Sequence, residues 1–398
     1  MNVKEIEGTI TTPLDFFASG IEVGLKEEGR DMALVYSIVE SEAAAVFTTN
    51  QAQAAPVRIS RDHLDDNQAQ AILVNSGNAN ACTGERGFND AQKMIEVAAN
   101  KLGLATDNII LCSTGIIGEY LPMDKIKPGI EKVVLNLKEN GGSEAAEAIM
   151  TTDNYKKELA VKVDIGGEEV TVGGIAKGSG MIEPNMATML SFLTTDAEID
   201  KDLLQDALAT AVDKTFNRIT VDGDQSTNDT VAILANGAAE NEAITTKGDS
   251  YQRFVAGLTY ICKELAHLIV KDGEGATKFV TIEVEGVQSE TDAVKIAKGI
   301  ANSNLVKTAI FGEDPNWGRI ASAAGAVGVE FDLDKLEIRI NGQEIFGPAQ
   351  QVYKYSDDLL AEPQIKIEVD LNSGAESAEV WTCDLSYKYV EINAEYHT

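Results

Sequence analysis

The chain has 398 residues, more than one core usually spans, so two lobes or one elaborate α/β unit is expected. Its hydrophobic content of 44% is ordinary for a folded protein and excludes a disordered one. Thirty-three Lys and Arg against 64 Asp and Glu leave a net charge of −31, which repels phosphate backbones and anionic lipid and argues against nucleic-acid and membrane partners.

In chain order, the opening MNVKEIEGTITTPLDFF lacks the apolar run of a secretory signal, and no 18 consecutive residues are apolar. A cytoplasmic protein without a membrane span is therefore expected. Ala71-Ile72-Leu73-Val74 reads as a short buried strand, followed by the polar, Gly-rich loop SGNANACTGERG. A helix is predicted from Asn89 as N-cap, with Met94, Ile95, Ala98 and Leu102 on one face. NIILC is a strand, and Ser113-Thr114-Gly115 after it reads as a turn. A second helix follows Asp200, its face traced by Leu203, Leu204, Ala207, Leu208, Ala211 and Val212. A third runs from Tyr251 to Lys271 and stops at the DGEG turn. The last third reads as strands: KFVTIEVEGV, KLEIRINGQEIF, QIKIEVDL and YKYVEINAEY.

Cys82, Cys112, Cys262 and Cys383 are far apart and form no CxxC pair, so buried thiols in a reducing compartment are expected rather than a zinc site. Histidines are few: His63, His267 and His397. Most hydrolytic chemistry at neutral pH recruits a histidine base, so a catalyst built from this chain draws its base from elsewhere.

The most unusual segment is VGGIAKGSGMIEPNMATMLSFLTTDAEID, residues 172–200. Glycines surround Lys177, and the chain turns apolar after Thr188, through Met189, Leu190, Ser191, Phe192 and Leu193. Two readings are open. Thr188 is either an ordinary residue at the head of a core strand, or an N-terminus made by breaking the Ala187–Thr188 bond. The second supplies the missing base. A free α-amino group has a pKa of about 7.7–8.0 and sits on the same residue as the hydroxyl it would activate. Before cleavage that amine is locked in an amide, so the precursor is expected to be inactive.

The run KGSGMIEPNMATML resembles the processing signature of the ornithine acetyltransferase (glutamate N-acetyltransferase) family. SGNANACTG, STGIIGEYLP, TVDGDQSTND, DGEGATK, GEDPNWGRI and NAEYHT resemble that family in the same order, so the likeness spans essentially the whole chain. The resemblance implies a layered α/β fold of the α-β-β-α sandwich type. It also implies self-cleavage into residues 1–187 and 188–398, and an α2β2 assembly. The implied reaction is ping-pong transfer of acetyl from N2-acetyl-L-ornithine to L-glutamate through an acetyl-Thr188, in arginine biosynthesis. Some relatives also accept acetyl-CoA. No metal or tightly bound cofactor is implied.

Residue by residue, the resemblance makes Thr188 the nucleophile and gives an oxyanion hole to the Thr114 hydroxyl and the Gly115 N–H. It gives substrate contacts to Lys177, to Thr151 or Thr152, to Glu274 facing the amino end of ornithine, and to Asn393 and Thr398 in the tail. The tail departs from the family at His397, where an arginine is expected. GEDPNWGRI and TVDGDQSTND are expected to scaffold the pocket, with Asn316 and Trp317 as packing and loop-fixing groups. An N-terminal-nucleophile aminopeptidase is the nearest rival. A phosphate-binding loop around Lys177 is disfavoured because GGIAKGSG lacks the GxxxxGK[ST] spacing.

Overall fold

The computed structural model describes residues 3–183 and 189–395. Two sheets form its centre. One runs in the order Val3–Ile6, Lys157–Ile165, Glu168–Lys177, Leu190–Thr195, Thr230–Ala235 and Glu42–Phe47. Its only parallel pair among the described residues is Leu190–Thr195 with Thr230–Ala235. The other sheet is Phe16–Ile21, Met32–Ser37, Ala71–Asn78 and Ile109–Ile116.

The layering follows from the two-residue period of the strands. Ile72 and Val74 face the first sheet and join Ile175, Leu190, Phe192, Ala232 and Leu234 in a core between the sheets. Ala71 and Leu73 point the other way, onto the helices Ala55–His63, Gly84–Leu102 and Met123–Leu135. On the far side of the first sheet, Val161, Val172, Leu193 and Val231 pack against Lys201–Lys214 and Asp249–Lys271. This is the predicted α-β-β-α sandwich. A third sheet runs Gln351–Val352, Gln343–Gly347, Glu337–Ile340, Gln364–Asp370, Phe279–Val287 and Glu376–Cys383. It has its own core under Glu290–Ala301 and Trp317–Ala326. Among the described residues no helix is long and apolar enough to cross a membrane.

Several local expectations need correction. The helix expected from Asn89 begins at Gly84. The Asn80 amide donates to the Gly87 carbonyl at 2.8 Å and the Thr83 hydroxyl donates to Asn80 at 2.7 Å, which pins the first turn further upstream. Ser113-Thr114-Gly115 is no turn, since the strand continues to Ile116. YKYVEINAEY is not a strand: Tyr387–Glu395 is a helix on the surface. The preceding strand ends at Cys383 because the Asp384 carboxylate turns inward to accept the Thr277 and Lys278 amides at 2.8 and 2.9 Å. Ser386 then accepts the Lys388 amide at 3.2 Å, at the first turn of this helix. Three thiols are buried as expected, but Cys82 is exposed at a left-handed φ of 57°. GEDPNWGRI does not border the cavity described below. Trp317 stacks on Phe346 with ring centroids 4.5 Å apart, in the third sheet's core, and Asn316 caps its own helix by accepting from the Arg319 amide.

Phe192 is fully buried between the two central sheets. Phe192→Ala is expected to cost about 3–5 kcal/mol of stability, read as a lower urea midpoint. An unchanged midpoint would mean that the sheets do not close on this ring.

Candidate functional site

A cavity of about 340 Å³ opens where the ends of several strands meet. Thr114 and Gly115 reach it from the strand Ile109–Ile116. Lys177 is the last residue of Glu168–Lys177, and Met189 and Leu190 open the strand beside it. Thr151 and Thr152, Gly180 to Ile182, Ser226 to Asp229, Glu274 and Asn393 also line it, with Ala79 and Ile117. The structure thus brings Thr114, Gly115, Thr151, Thr152, Lys177, Glu274 and Asn393 to one place. Ala187, Thr188 and Thr398 lie outside the described residues; the next residue after Thr188 in sequence, Met189, borders the cavity.

Gly115 can be nothing larger. Its φ is 128°, and a Cβ would stand 2.3 Å from the backbone carbon of Gly77 in the neighbouring strand. Asn228 locks the same corner, its amide donating to the Ala79 carbonyl at 2.6 Å and the Ser113 carbonyl at 2.8 Å. The Thr114 hydroxyl is therefore held in place 3.5 Å from the Lys177 ammonium.

Lys177 is buried at the end of a strand, not carried on a solvated loop. Burial lowers its pKa, opposed by Asp153, Asp229 and Glu274, while Lys157 pushes in the same direction as burial. Beneath it lies an ionic cluster that sequence reasoning missed. The Lys157 ammonium sits 2.6 Å from both Asp153 and Asp272, with all three side chains almost wholly buried. Asp153 also accepts the Gly178 amide at 2.7 Å. Asp272 accepts the Asn154 amide at 3.0 Å and its side-chain amide at 2.9 Å. Burial alone would raise Asp153, but Lys177 and Lys157 hold it at about 2. The signal was present: Asp153 and Lys157 are four residues apart, next to the Thr151-Thr152 pair, and Asp272 opens DGEG.

Two residues past Asp272, the Glu274 carboxylate accepts from the Asn393 amide at 2.8 Å, which brings the terminal helix over the cavity. Gly180 makes room for it, because a Cβ there would meet that carboxylate at 2.5 Å. The Thr152 hydroxyl is engaged with Ser179 at 2.7 Å, whereas the Thr151 hydroxyl has no partner among the described residues. The chain on the approach to Pro184 is held as well. Asp222 accepts the Met181 and Ile182 amides at 2.7 and 2.8 Å, and Glu183 accepts from Asn302 at 2.7 Å. TVDGDQSTND thus contributes cavity wall and loop anchor together, more than the scaffold expected of it.

A carboxyl near pKa 2 in the folded state and about 3.9 unfolded stabilises the fold above pH ~4 and loses that contribution as pH falls toward 2. Urea midpoints measured across this window should fall more steeply in the wild type than in Asp153→Asn. Parallel slopes would show that Asp153 is not held ionised.

The sequence pattern of the ArgJ family matches residues 17–398. The arginine biosynthesis bifunctional protein ArgJ of Caldanaerobacter subterraneus subsp. tengcongensis is 48% identical over 400 residues, covering 99% of each chain. That of Listeria monocytogenes serovar 1/2a is 49% identical over 397 residues, again covering 99% of each. Among solved structures, the ornithine acetyltransferase of Mycobacterium tuberculosis, complexed with ornithine, is 40% identical, with a TM-score of 0.45 over 47% of this chain and 100% of that one. With the match reaching nearly end to end, the chain belongs to the ArgJ family.

Proposed function

We propose that this protein is a self-processing acyltransferase of arginine biosynthesis that moves acetyl from N2-acetyl-L-ornithine to L-glutamate. The observation that carries the reading is the convergence of Thr114, Gly115, Lys177 and Glu274 on one cavity bordered by Met189, the residue after Thr188. Cleavage of the Ala187–Thr188 bond frees the Thr188 amine, which takes the proton of its own hydroxyl as that oxygen attacks the acetyl carbonyl. The oxyanion is received by the Thr114 hydroxyl and the Gly115 N–H. Lys177 keeps the Thr188 amine neutral by charge repulsion and steadies the substrate. Glu274, buried and braced by Asn393, receives the amino end of the ornithine group. Thr151, with its hydroxyl unengaged among the described residues, contacts the substrate in preference to Thr152, and Thr398 completes the pocket. Ornithine leaves, and glutamate collects the acetyl group from Thr188.

Self-cleavage is supported by the anchoring on both sides of residues 184–188. Met181 and Ile182 are tied to Asp222, Val221 donates to the Ile182 carbonyl at 2.7 Å, and the Met189 carbonyl accepts from Thr230 at 3.0 Å. Met181 has a left-handed φ of 55°, a place where backbone strain is stored. The two products stay together and pair as α2β2. Acetyl-CoA serves as a further donor in the same pocket, as the bifunctional names of the relatives suggest.

Intact-mass analysis of the wild type beside Thr188→Ala tests the nucleophile. Two fragments, the second beginning at Thr188, are expected in the wild type and one uncut chain in the variant. A single full-length species in both, in protein that transfers acetyl, would remove the N-terminal threonine mechanism. In processed protein, Thr114→Ala should lower kcat about 10²–10³-fold, and Glu274→Gln should act mainly by raising KM for N2-acetyl-L-ornithine. Hydrolysis of the acetyl group without any dependence on glutamate would instead indicate an aminopeptidase-like enzyme.

A further inference from the structure

Resting on the function just proposed, transfer between two amino groups poses a proton problem that the Thr188 amine alone does not solve. The departing ornithine amine and the arriving glutamate amine are both ammonium ions in neutral water. One proton must therefore be given inside the cavity when the first leaves, and one removed when the second arrives. Asp229 is placed for this. It is 2% exposed, borders the cavity, and its Oδ2 has no hydrogen-bond partner among the described residues. It precedes Thr230, whose amide donates to the Met189 carbonyl at 3.0 Å, and Asp229 and Met189 border the same cavity. We propose that Asp229 is the proton carrier of the transfer, giving a proton to the departing amine and taking one from the arriving amine.

The step balances. As the C–N bond of the acetylated substrate breaks, the Thr188 hydroxyl proton, relayed by its amine, and the Asp229 O–H proton both go to nitrogen. Ornithine leaves as the ammonium and Asp229 remains as the carboxylate. The glutamate ammonium returns one proton to Asp229, and its neutral nitrogen then attacks the acetyl ester. The second proton lost from that nitrogen goes back to the Thr188 oxygen as the C–O bond breaks.

The surroundings suit such a group. Burial raises Asp229 well above the ordinary carboxylate range, while hydrogen bonds from Ser226 and the charge of Lys177 pull the other way. Among the charges, Lys177 acts on it most strongly, and Asp153, Lys157 and Glu274 act on Lys177 in turn. In the facing sheet the titratable neighbour is the buried Cys112 thiol, bonded to Thr230 and pushed up to about 12 by burial. Two carboxyls near one ammonium thus differ in state, Asp153 ionised and Asp229 able to hold a proton.

Asp229→Asn keeps the shape and cannot release a proton. It should still be cut at Thr188, bind substrate with little change in KM, and lose about 10²-fold or more in kcat. The wild-type kcat/KM for N2-acetyl-L-ornithine should fall on the alkaline side as Asp229 loses its proton, and the variant should lack that limb. Ser226→Ala removes a bond that favours the ionised carboxyl, so its alkaline limb should move to higher pH, a readout that also serves if Asp229→Asn fails to fold. Active wild type with unchanged kcat and limb in Asp229→Asn, or an unmoved limb in Ser226→Ala, would overturn this role alone. Wild type that transfers no acetyl would overturn the proposed function and this inference with it.

Discussion

The site depends on one buried ammonium between two buried carboxylates. Lys157 stands at the start of its strand, Asp153 in the segment leading to it, and Asp272 just past a helix of 23 residues. Their contact ties the Thr151-Thr152 segment to the turn that bears Glu274, and through the Gly178 amide to the end of the strand bearing Lys177. Desolvating three charges is costly, and breaking such a cluster by removing one partner typically costs about 3–5 kcal/mol. A hydrophobic trio could hold the same chain segments together. It could not fix Asp153 as an anion 2.7 Å from the Gly178 amide, under Lys177. The cluster therefore sets geometry and charge at once.

Cations are scarce in this chain, and the interior takes several of them. Lys278 donates to Glu313 and to the Leu360 carbonyl, and Lys307 reaches Thr382 and the Cys383 carbonyl. Both pin the third sheet and its helices next to the turn that carries Glu274, since Thr277 and Lys278 follow it directly and are held by Asp384. The excess of acid is thus a property of the surface, while buried lysines serve as cross-links. That division explains why net charge says much about partners and little about the fold.

Where one periodicity dominated, the sequence was readable. Ala71–Asn78 and Leu190–Thr195 are buried strands, and the helix after Asp200 buries Leu204, Ala207, Leu208, Ala211 and Val212, with Asp200 accepting the first amides. The misses occurred where a distant side chain decided the outcome. Asp384 ends a strand and leaves β-prone Tyr387–Glu395 to coil as a helix, and Asn80 starts another helix early. The same limit applies at the site. Motif likeness singled out Lys177 and Glu274, yet nothing local said that Lys177 is buried or that Asp229 shares its cavity. Both facts arise from pairing between strands remote in sequence, which leaves no periodic trace.

The strand order of the first sheet bears on what a cut at residue 187 would do. Leu190–Thr195 and Thr230–Ala235, which would belong to the second product, lie side by side between Glu168–Lys177 and Glu42–Phe47, which would belong to the first. Separating the products would strip hydrogen bonds from both flanks of this pair and expose Phe192, whose core neighbours Phe16, Ile72, Val74 and Ile110 would belong to the first product. Cleavage inside such an arrangement changes connectivity without loosening the sheet. Residue 188 is two positions in sequence before Leu190, whose register partner is Lys177. A nucleophile made after folding can in this way be met by groups that folding alone has positioned, which is what catalysis by preorganisation requires.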